Sequence, residues 1–474
     1  MLKKLISHSM LYALAPQIPK IASVFMLPVI TSHLTSLDYG IYGVMIAYMG
    51  ILGGIQDLGL GVVFVNVFYK HKNRWPLIWR LLQGHLMLWG LVTAVLALVL
   101  LRIVIPAEAK ENYWIIAALS ILPGVLFERT STLGNYYFRF RQKPLFLAFV
   151  SIISGFVTII VTYICIVSRG MGYLGWYVSS FFSSLITFLL YSYMIYWKNT
   201  FYPIFKIRKK FIMRHLKVAL PMIPHNYSPY LLNSSDRVVL SLFRVDIGRI
   251  GLYNMAYTFG SYVNIIGEAV GFTVGPYYAK LYTENTVRSL SDERRLTYFL
   301  MGCFFVGTFT ISIWLKEIIF LLIDNRELRS CYGLGIIIVM GYAYRPMYWS
   351  SINRLIIGKR TASLWRISLV AGILNVILNL IFVPQYGIYA TAVNTFVSLL
   401  YIGFSGYFLK TYKEMDNLDH HPLLWMSAII LLTILAYGLK DSSVSMKVIV
   451  TTCLVGGVVV VVRKMYSQLM AINV

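Results

Sequence analysis

Six cations and five acids stand inside long apolar runs of this 474-residue chain. The cations are Lys20, Arg129, Arg237, Lys316, Arg345 and Arg354; the acids are Asp57, Glu128, Asp236, Glu268 and Glu317. A charge inside a bilayer is costly and persists where it meets water, a partner or a substrate. Lys20, Arg129 and Arg345 fall near the middle of their runs, and Arg237 in the outer part of its run. These four are candidate ligands for an anion in a water-filled cavity; a buried structural ion pair is the alternative for each. Several cations in a low-dielectric wall concentrate anions, and the guanidinium fork matches phosphate. The chemistry expected is therefore capture of a phosphorylated substrate, and a cationic amphiphile would be repelled. Lys316, Glu317 and Arg354 lie nearer run ends, where long side chains reach water. Residues adjacent in sequence point about 100° apart on a helix, so Glu128-Arg129 and Asp236-Arg237 need not pair internally. Asp57, Glu128, Asp236 and Glu268 are candidate ion-coupling groups or partners of the cations.

Prolines mark where the backbone could move. Pro16 and Pro19 interrupt the first run, and Pro221, Pro224 and Pro229 the seventh. Proline inside a helix removes a hydrogen bond and frees a carbonyl. Interrupted spans at matching places of two repeats point to a transport site, with a static kink as the alternative. Pro16, Pro19, Pro221 and Pro224 are the candidate hinges. Tyr12, Tyr227, Tyr230 and Tyr344 lie near these breaks or charges, where they could stack on sugar rings; interfacial belts account for most other Tyr and Trp. His225 follows Pro224 and could titrate, although an ordinary hydrogen-bonded histidine is the simpler reading. Cys165, Cys303, Cys331 and Cys453 stand singly, so neither a metal site nor a disulfide frame is indicated. No phosphate-binding G-x-x-x-x-G-K-[ST] loop occurs. No cofactor or metal is expected, and energy must come from an ion gradient, the membrane potential or the substrate gradient.

The elements that must hold these groups are membrane-spanning helices. Mean hydropathy is +0.71; 58% of residues are apolar and 13% charged. A bilayer core needs about 20 apolar residues per helix. Fourteen candidate spans are expected near 8–33, 39–64, 81–105, 114–138, 145–168, 172–197, 218–243, 250–279, 296–323, 331–357, 365–384, 387–409, 423–439 and 446–462. The first is not a cleaved signal, being long and proline-interrupted. The net charge of +24 follows the topology rather than a nucleic acid. With the N-terminus inside, inner segments carry 27 Lys and Arg and outer loops 9, with 6 in spans. That bias is the positive-inside rule, and it places both termini in the cytoplasm. No outer loop exceeds about 15 residues, so there is no room for an external catalytic domain.

The chain is internally repeated. Pro16-Gln17-Ile18-Pro19 and Gly40-Ile41-Tyr42 are echoed by Pro221-Met222-Ile223-Pro224 and Gly251-Leu252-Tyr253, at offsets of 205 and 211 residues. Gly172, Gly175 and Phe181 are echoed by Gly387, Ala390 and Phe396 at an offset of 215. Six spans per repeat is an even number, so the repeats are parallel. The expected architecture is an all-α polytopic membrane protein of about 14 helices: a six-helix lobe over 1–197, a linker over 198–217, a second six-helix lobe over 218–413, and two additional helices over 414–474. The linker mixes seven basic residues with Phe201, Tyr202, Phe205, Ile207, Phe211, Ile212 and Leu216. That composition suits a helix lying on anionic lipid of the inner leaflet.

Leu27-Pro28-Val29-Ile30-Thr31 with Leu37-Asp38-Tyr39-Gly40-Ile41-Tyr42 resembles a known family. So does Leu220-Pro221-Met222-Ile223-Pro224-His225 with Ser234-Ser235-Asp236-Arg237 and Ile250-Gly251-Leu252-Tyr253. Over roughly 1–413 the chain is similar to the polysaccharide transporters, or O-antigen flippases, of the multidrug/oligosaccharidyl-lipid/polysaccharide (MOP) exporter superfamily. The resemblance implies two six-helix lobes around a central cavity with alternating access, and no enzyme activity. It implies a substrate oligosaccharide linked through pyrophosphate to undecaprenol, moved from the inner to the outer leaflet of a bacterial cytoplasmic membrane for O-antigen, capsule or exopolysaccharide assembly. Other polysaccharide-assembly proteins are implied partners. The family's cationic cavity maps onto Lys20, Arg129, Arg237 and Arg345. The family commonly has twelve spans; 423–463 is additional, and the lipid II flippase branch has fourteen. The rival readings are a multidrug or other small-molecule antiporter of the same fold, which needs carboxylates in excess, and a membrane-embedded glycan polymerase or ligase, which needs a large outer loop.

Overall fold

The computed structural model describes residues 18–71, 73–206, 208–360, 362–415 and 419–469. Helices dominate them, an irregular stretch covers 198–206, and there is no strand among the described residues. Over its described residues, each expected span is occupied by a helix, straight or broken. Seven stretches are long and apolar enough to cross a membrane: Ser36–Lys70, Trp75–Val104, Ala107–Phe140, Pro144–Ser168, Leu174–Trp197, Val287–Ile313 and Ser363–Phe408. Pro422–Gly438 and Val444–Gly457 are shorter apolar helices. Ser363–Phe408 holds two spans, because Gly387 takes φ of 56° and ψ of −132° and turns the chain between them. The remaining spans are interrupted or polar, and they carry Asp236, Arg237, Glu268, Arg345 and Arg354.

Local signals fix the helix ends. Thr35 and Asp38 form a reciprocal capping box at the start of Ser36–Gln56, and Thr286 and Ser289 do the same for Val287–Ile313. Asp38 also accepts from the backbone N–H of Tyr173 at 2.8 Å, tying two hairpin ends of one lobe together.

The chain packs as two compact units, Met1–Tyr230 with Asp246–Gly251, and Leu231–Val245 with Leu252–Val474. In the first, one apolar cluster gathers Phe64, Trp79, Leu133, Phe138 and Tyr191. A second gathers Ile41, Met45, Leu101, Tyr113 and Tyr177. Two glycines of the repeated Gly-x-Tyr motif explain themselves here. A Cβ on Gly40 would sit 1.9 Å from the carbonyl oxygen of Ile247, and one on Gly251 would sit 1.8 Å from that of Ser36. Each glycine meets the residue four positions before the other, so two helices cross in backbone contact where nothing larger fits. In the second unit Tyr278, Tyr282, Leu300 and Trp349 form the core of another cluster.

The candidate hinges fall in different local settings. Pro16 lies outside the described residues. Pro19 and Pro28 both lie in helix Ile18–Thr31. Pro221 sits in a 3-10 turn, Leu220–Met222, between helices Lys209–Ala219 and Ile223–Asn233. Pro224 opens the second of these and Pro229 lies within it.

Candidate functional site

The four candidate cations have different surroundings. The Lys20 side chain lies outside the described residues. Arg129, 1% exposed, places Nη1 2.5 Å from Oδ1 of Asp57, 72 positions away, while the Asp57 carboxylate is half exposed. Nε and Nη2 of Arg129 are buried and meet no acceptor among the described residues. Its sequence neighbour Glu128 points elsewhere and lines a cavity of the first unit.

Arg237 is held on every side within the second unit. Nη1 donates to the Asn233 carbonyl at 2.6 Å and to Oδ1 of Asp236 at 3.1 Å, and Nε donates to Oδ1 of Asn254 at 3.0 Å. The guanidinium lies 4.3 Å from the Tyr257 ring centre and 5.4 Å from that of Tyr253. Asp236, fully buried, accepts from the hydroxyl of Tyr253, which also meets Thr395 at 3.3 Å. Sequence alone left this pair open between substrate contact and structural bond. The geometry is that of an ion pair neutralised in its own unit.

Arg345 differs. It opens helix Arg345–Ile357 after a 3-10 turn, Tyr342–Tyr344. It makes no ion pair among the described residues, and its Nε is buried without an acceptor. The rings of Tyr342 and Tyr344 are 5.9 and 5.8 Å from its guanidinium carbon. Its Cδ and Nε lie against Gly267, 3.2 Å from where a Cβ would be. Glu268, next along that helix, accepts from Asn264 Nδ2 at 3.0 Å.

The run-end charges have structural partners. Lys447, wholly buried, donates to both oxygens of Glu317 at 2.7 and 3.0 Å and to the Lys440 carbonyl at 2.8 Å. Lys316 meets Asp441 at 2.6 Å, a bond that holds the Asp441 carboxyl below its usual pKa. These bonds fasten the last two helices to the second unit. Arg354 bonds to Oδ1 of Asn285 at 2.9 Å and to the Met415 carbonyl.

Three features escaped sequence reasoning. A buried pair joins His420 to Glu293 at 2.8 Å. A ladder of amides runs from Asn394 to Asn379 to Asn375 and on to the carbonyls of Leu231 and Leu232. The cavity beside Glu128 is walled by Ser180, Ser183, Ser184 and Thr187. That last set recurs at helical spacing and was readable as one polar stripe.

The described residues are helical, carry charges in their interior and pack as two compact units, and their fold is that of solved transporter structures. The fold is shared with the lipid II flippase MurJ in an inward closed conformation, at 16% identity over 91% of this chain and 98% of that one, with a TM-score of 0.67. It is shared with an outward-facing multidrug resistance MATE family transporter of the MOP superfamily, at 15% identity, 90% and 96% coverage and a TM-score of 0.55. A MOP superfamily transporter from Pyrococcus furiosus, described as having a binding pocket of reversed polarity, aligns at 13% identity, 90% and 95% coverage and a TM-score of 0.54. No curated protein matches the chain by sequence. Residues 5–281 match the family described as polysaccharide biosynthesis protein, and the chain belongs to that family.

Proposed function

We propose that this protein is a flippase that moves an undecaprenyl-pyrophosphate-linked oligosaccharide from the inner to the outer leaflet of a bacterial cytoplasmic membrane by alternating access. Membership of the polysaccharide biosynthesis family supports the glycan half of the reading. The observation that carries the phosphate half is Arg345. It is a mid-span guanidinium with an unsatisfied Nε and no carboxylate bonded to it, set at a helix break between two tyrosines. A charge held so is stabilised when an anion arrives. Arg129 and Arg237 already have carboxylates, so they shape the interior more than they recruit substrate. Lys20 is the expected second phosphate ligand, and both termini and the 198–217 segment belong in the cytoplasm, the segment on anionic lipid.

The membrane potential supplies a drive. Pyrophosphate carries about two negative charges, and each gains roughly 2.3 kcal/mol per 100 mV on moving out of an inside-negative cell. Export is then favoured by about 4–5 kcal/mol without a coupled ion, and Asp57, Glu128 and Glu268 leave coupling available. The test is deletion in the source cell. Surface polysaccharide should fall and lipid-linked glycan should accumulate on the inner leaflet, both restored by the intact gene. Unchanged polysaccharide, together with loss of cationic-dye efflux, would instead establish the antiporter.

A further inference from the structure

The first unit contains a cavity of about 430 Å³ whose lining is polar in an unusual way. Three helical stretches wall it, and along each of them the lining residues fall between those of the two apolar clusters. It presents eight hydroxyl side chains, the amide of Gln56 and one carboxylate, Glu128, with no Lys, Arg or His. We propose that this cavity is a docking site for uncharged sugar units of the transported lipid-linked glycan, separate from the cations that take its phosphates. The inference rests on the flippase reading above.

Three observations carry it. The first is the balance of donors and acceptors. Ser131, Ser183 and Thr187 spend their protons on backbone carbonyls at 3.0, 3.2 and 2.9 Å, which leaves their lone pairs to accept. Ser184 and the amide of Gln56 line the same space with groups that can both donate and accept. An occupant that both donates and accepts from many points is a polyol.

The second is charge. With one carboxylate and no cation, the cavity repels phosphate. A cation site gathers several carboxylates or carbonyls, whereas a single acid among eight hydroxyls is an acceptor for sugar hydroxyl groups. The third is shape. Gly124 leaves a space flanked by Nε2 of Gln56 and Oε2 of Glu128, 3.6 and 3.7 Å from where its Cβ would be. The rings of Tyr42 and Tyr177 meet edge to face at 5.3 Å, and Trp176 lies 4.7 Å from Tyr42, giving one wall a rigid aromatic surface. The volume lies in the range of small-molecule sites, about 300–1,000 Å³.

The experiment uses the full chain with its four cysteines replaced by alanine and Ser184→Cys introduced. Maleimide labelling is compared in membranes from cells that make lipid-linked glycan and from cells lacking the enzyme that attaches its first sugar. Glycan should slow labelling at least fivefold. Ser330→Cys, exposed and outside the cavity, should label equally in both. Equal labelling of Ser184→Cys, in cells where deletion of the transporter still abolishes surface polysaccharide, overturns the sugar site and leaves the flippase reading intact. Slowing by sodium or a cationic dye, and not by glycan, reassigns the cavity to cations and also overturns the proposal. As a second arm, Gly124→Leu plugs the space and should reduce polysaccharide export about tenfold at unchanged protein level. Wild-type export from a folded Gly124→Leu protein is a further refutation. If that variant is instead lost from the membrane, the labelling result decides.

Discussion

Replacing Arg237 and Arg345 by the same residue should produce opposite failures. Arg237→Gln removes the guanidinium from a fully buried carboxylate, leaving Asp236 with the Tyr253 hydroxyl and a backbone N–H at 2.8 Å. Breaking a buried pair on one side costs about 3–5 kcal/mol. Two further hydrogen bonds and two ring contacts go with it. Arg345→Gln breaks no ion pair among the described residues, so its stability cost should stay within about 1 kcal/mol. It does remove a charged donor, and a hydrogen bond to a charged group is worth about 1.5–3 kcal/mol. At 1.4 kcal/mol per decade that is roughly a 10- to 150-fold loss of transport. The assay pairs thermal melting of detergent-solubilised protein, read by size-exclusion chromatography, with surface polysaccharide in a complemented deletion strain. Arg237→Gln should melt early and express poorly, and adding Asp236→Asn should restore much of the loss by removing the stranded charge. Arg345→Gln should melt like wild type and export little. An Arg345→Gln protein that exports normally, or that melts as early as Arg237→Gln, refutes the assignment of the free guanidinium to substrate.

Glu317→Gln should destabilise more than Lys447→Met, by about 3–5 kcal/mol against a smaller loss, because the first strands a wholly buried ammonium and the second leaves a carboxylate that is one-third exposed; equal melting temperatures would contradict this. Cysteines placed through 198–217 should resist a membrane-impermeant maleimide in intact cells and react in inverted vesicles, and labelling from outside would reverse the topology. Replacing Pro221 and Pro224 by Ala should continue the helix through the 3-10 turn and slow export more than it lowers protein level; parallel losses of both would make the turn purely structural.

The sequence shows that charges are buried but not how they pair. Hydropathy marks Arg129, Arg237 and Arg345 as equally anomalous, yet Arg129 reaches a carboxylate 72 positions away and ignores the one beside it. Pairing is decided by which helices pack together, and a single sequence does not encode that locally. Lys447 illustrates the same limit: it stands at the edge of the expected span 446–462 with no acid beside it in sequence, and the packed structure buries it against Glu317. The serine stripe was legible, since 180, 183, 184 and 187 share a helix face. What could not be read was that the stripe borders a cavity, with Ser183 also bonded to the neighbouring helix at Ser154. The repeated Gly-x-Tyr motif was legible as a repeat, and its reason, backbone contact at both glycines, appears only in the packing.

That repeat allows one comparison between the units that the charges alone do not. At the offset of 211 residues Tyr42 corresponds to Tyr253, and at 215 Ser180 corresponds to Thr395. In the first unit Tyr42 and Ser180 line the open cavity. In the second, Tyr253 and Thr395 meet each other and are fully buried, closed over by Asp236. The same scaffold position therefore borders a cavity in one repeat and is closed by side chains in the other. The filling is polar throughout: an ion pair, two tyrosines and the asparagine ladder take up the donors and acceptors that a ligand would otherwise supply. Buried polar groups are stable where they satisfy one another, as the second unit does at this position. The hydroxyls of Tyr42 and Ser180 border a cavity in the first unit, and the fully engaged Arg237 marks the second as the one whose corresponding position is closed by its own polar groups.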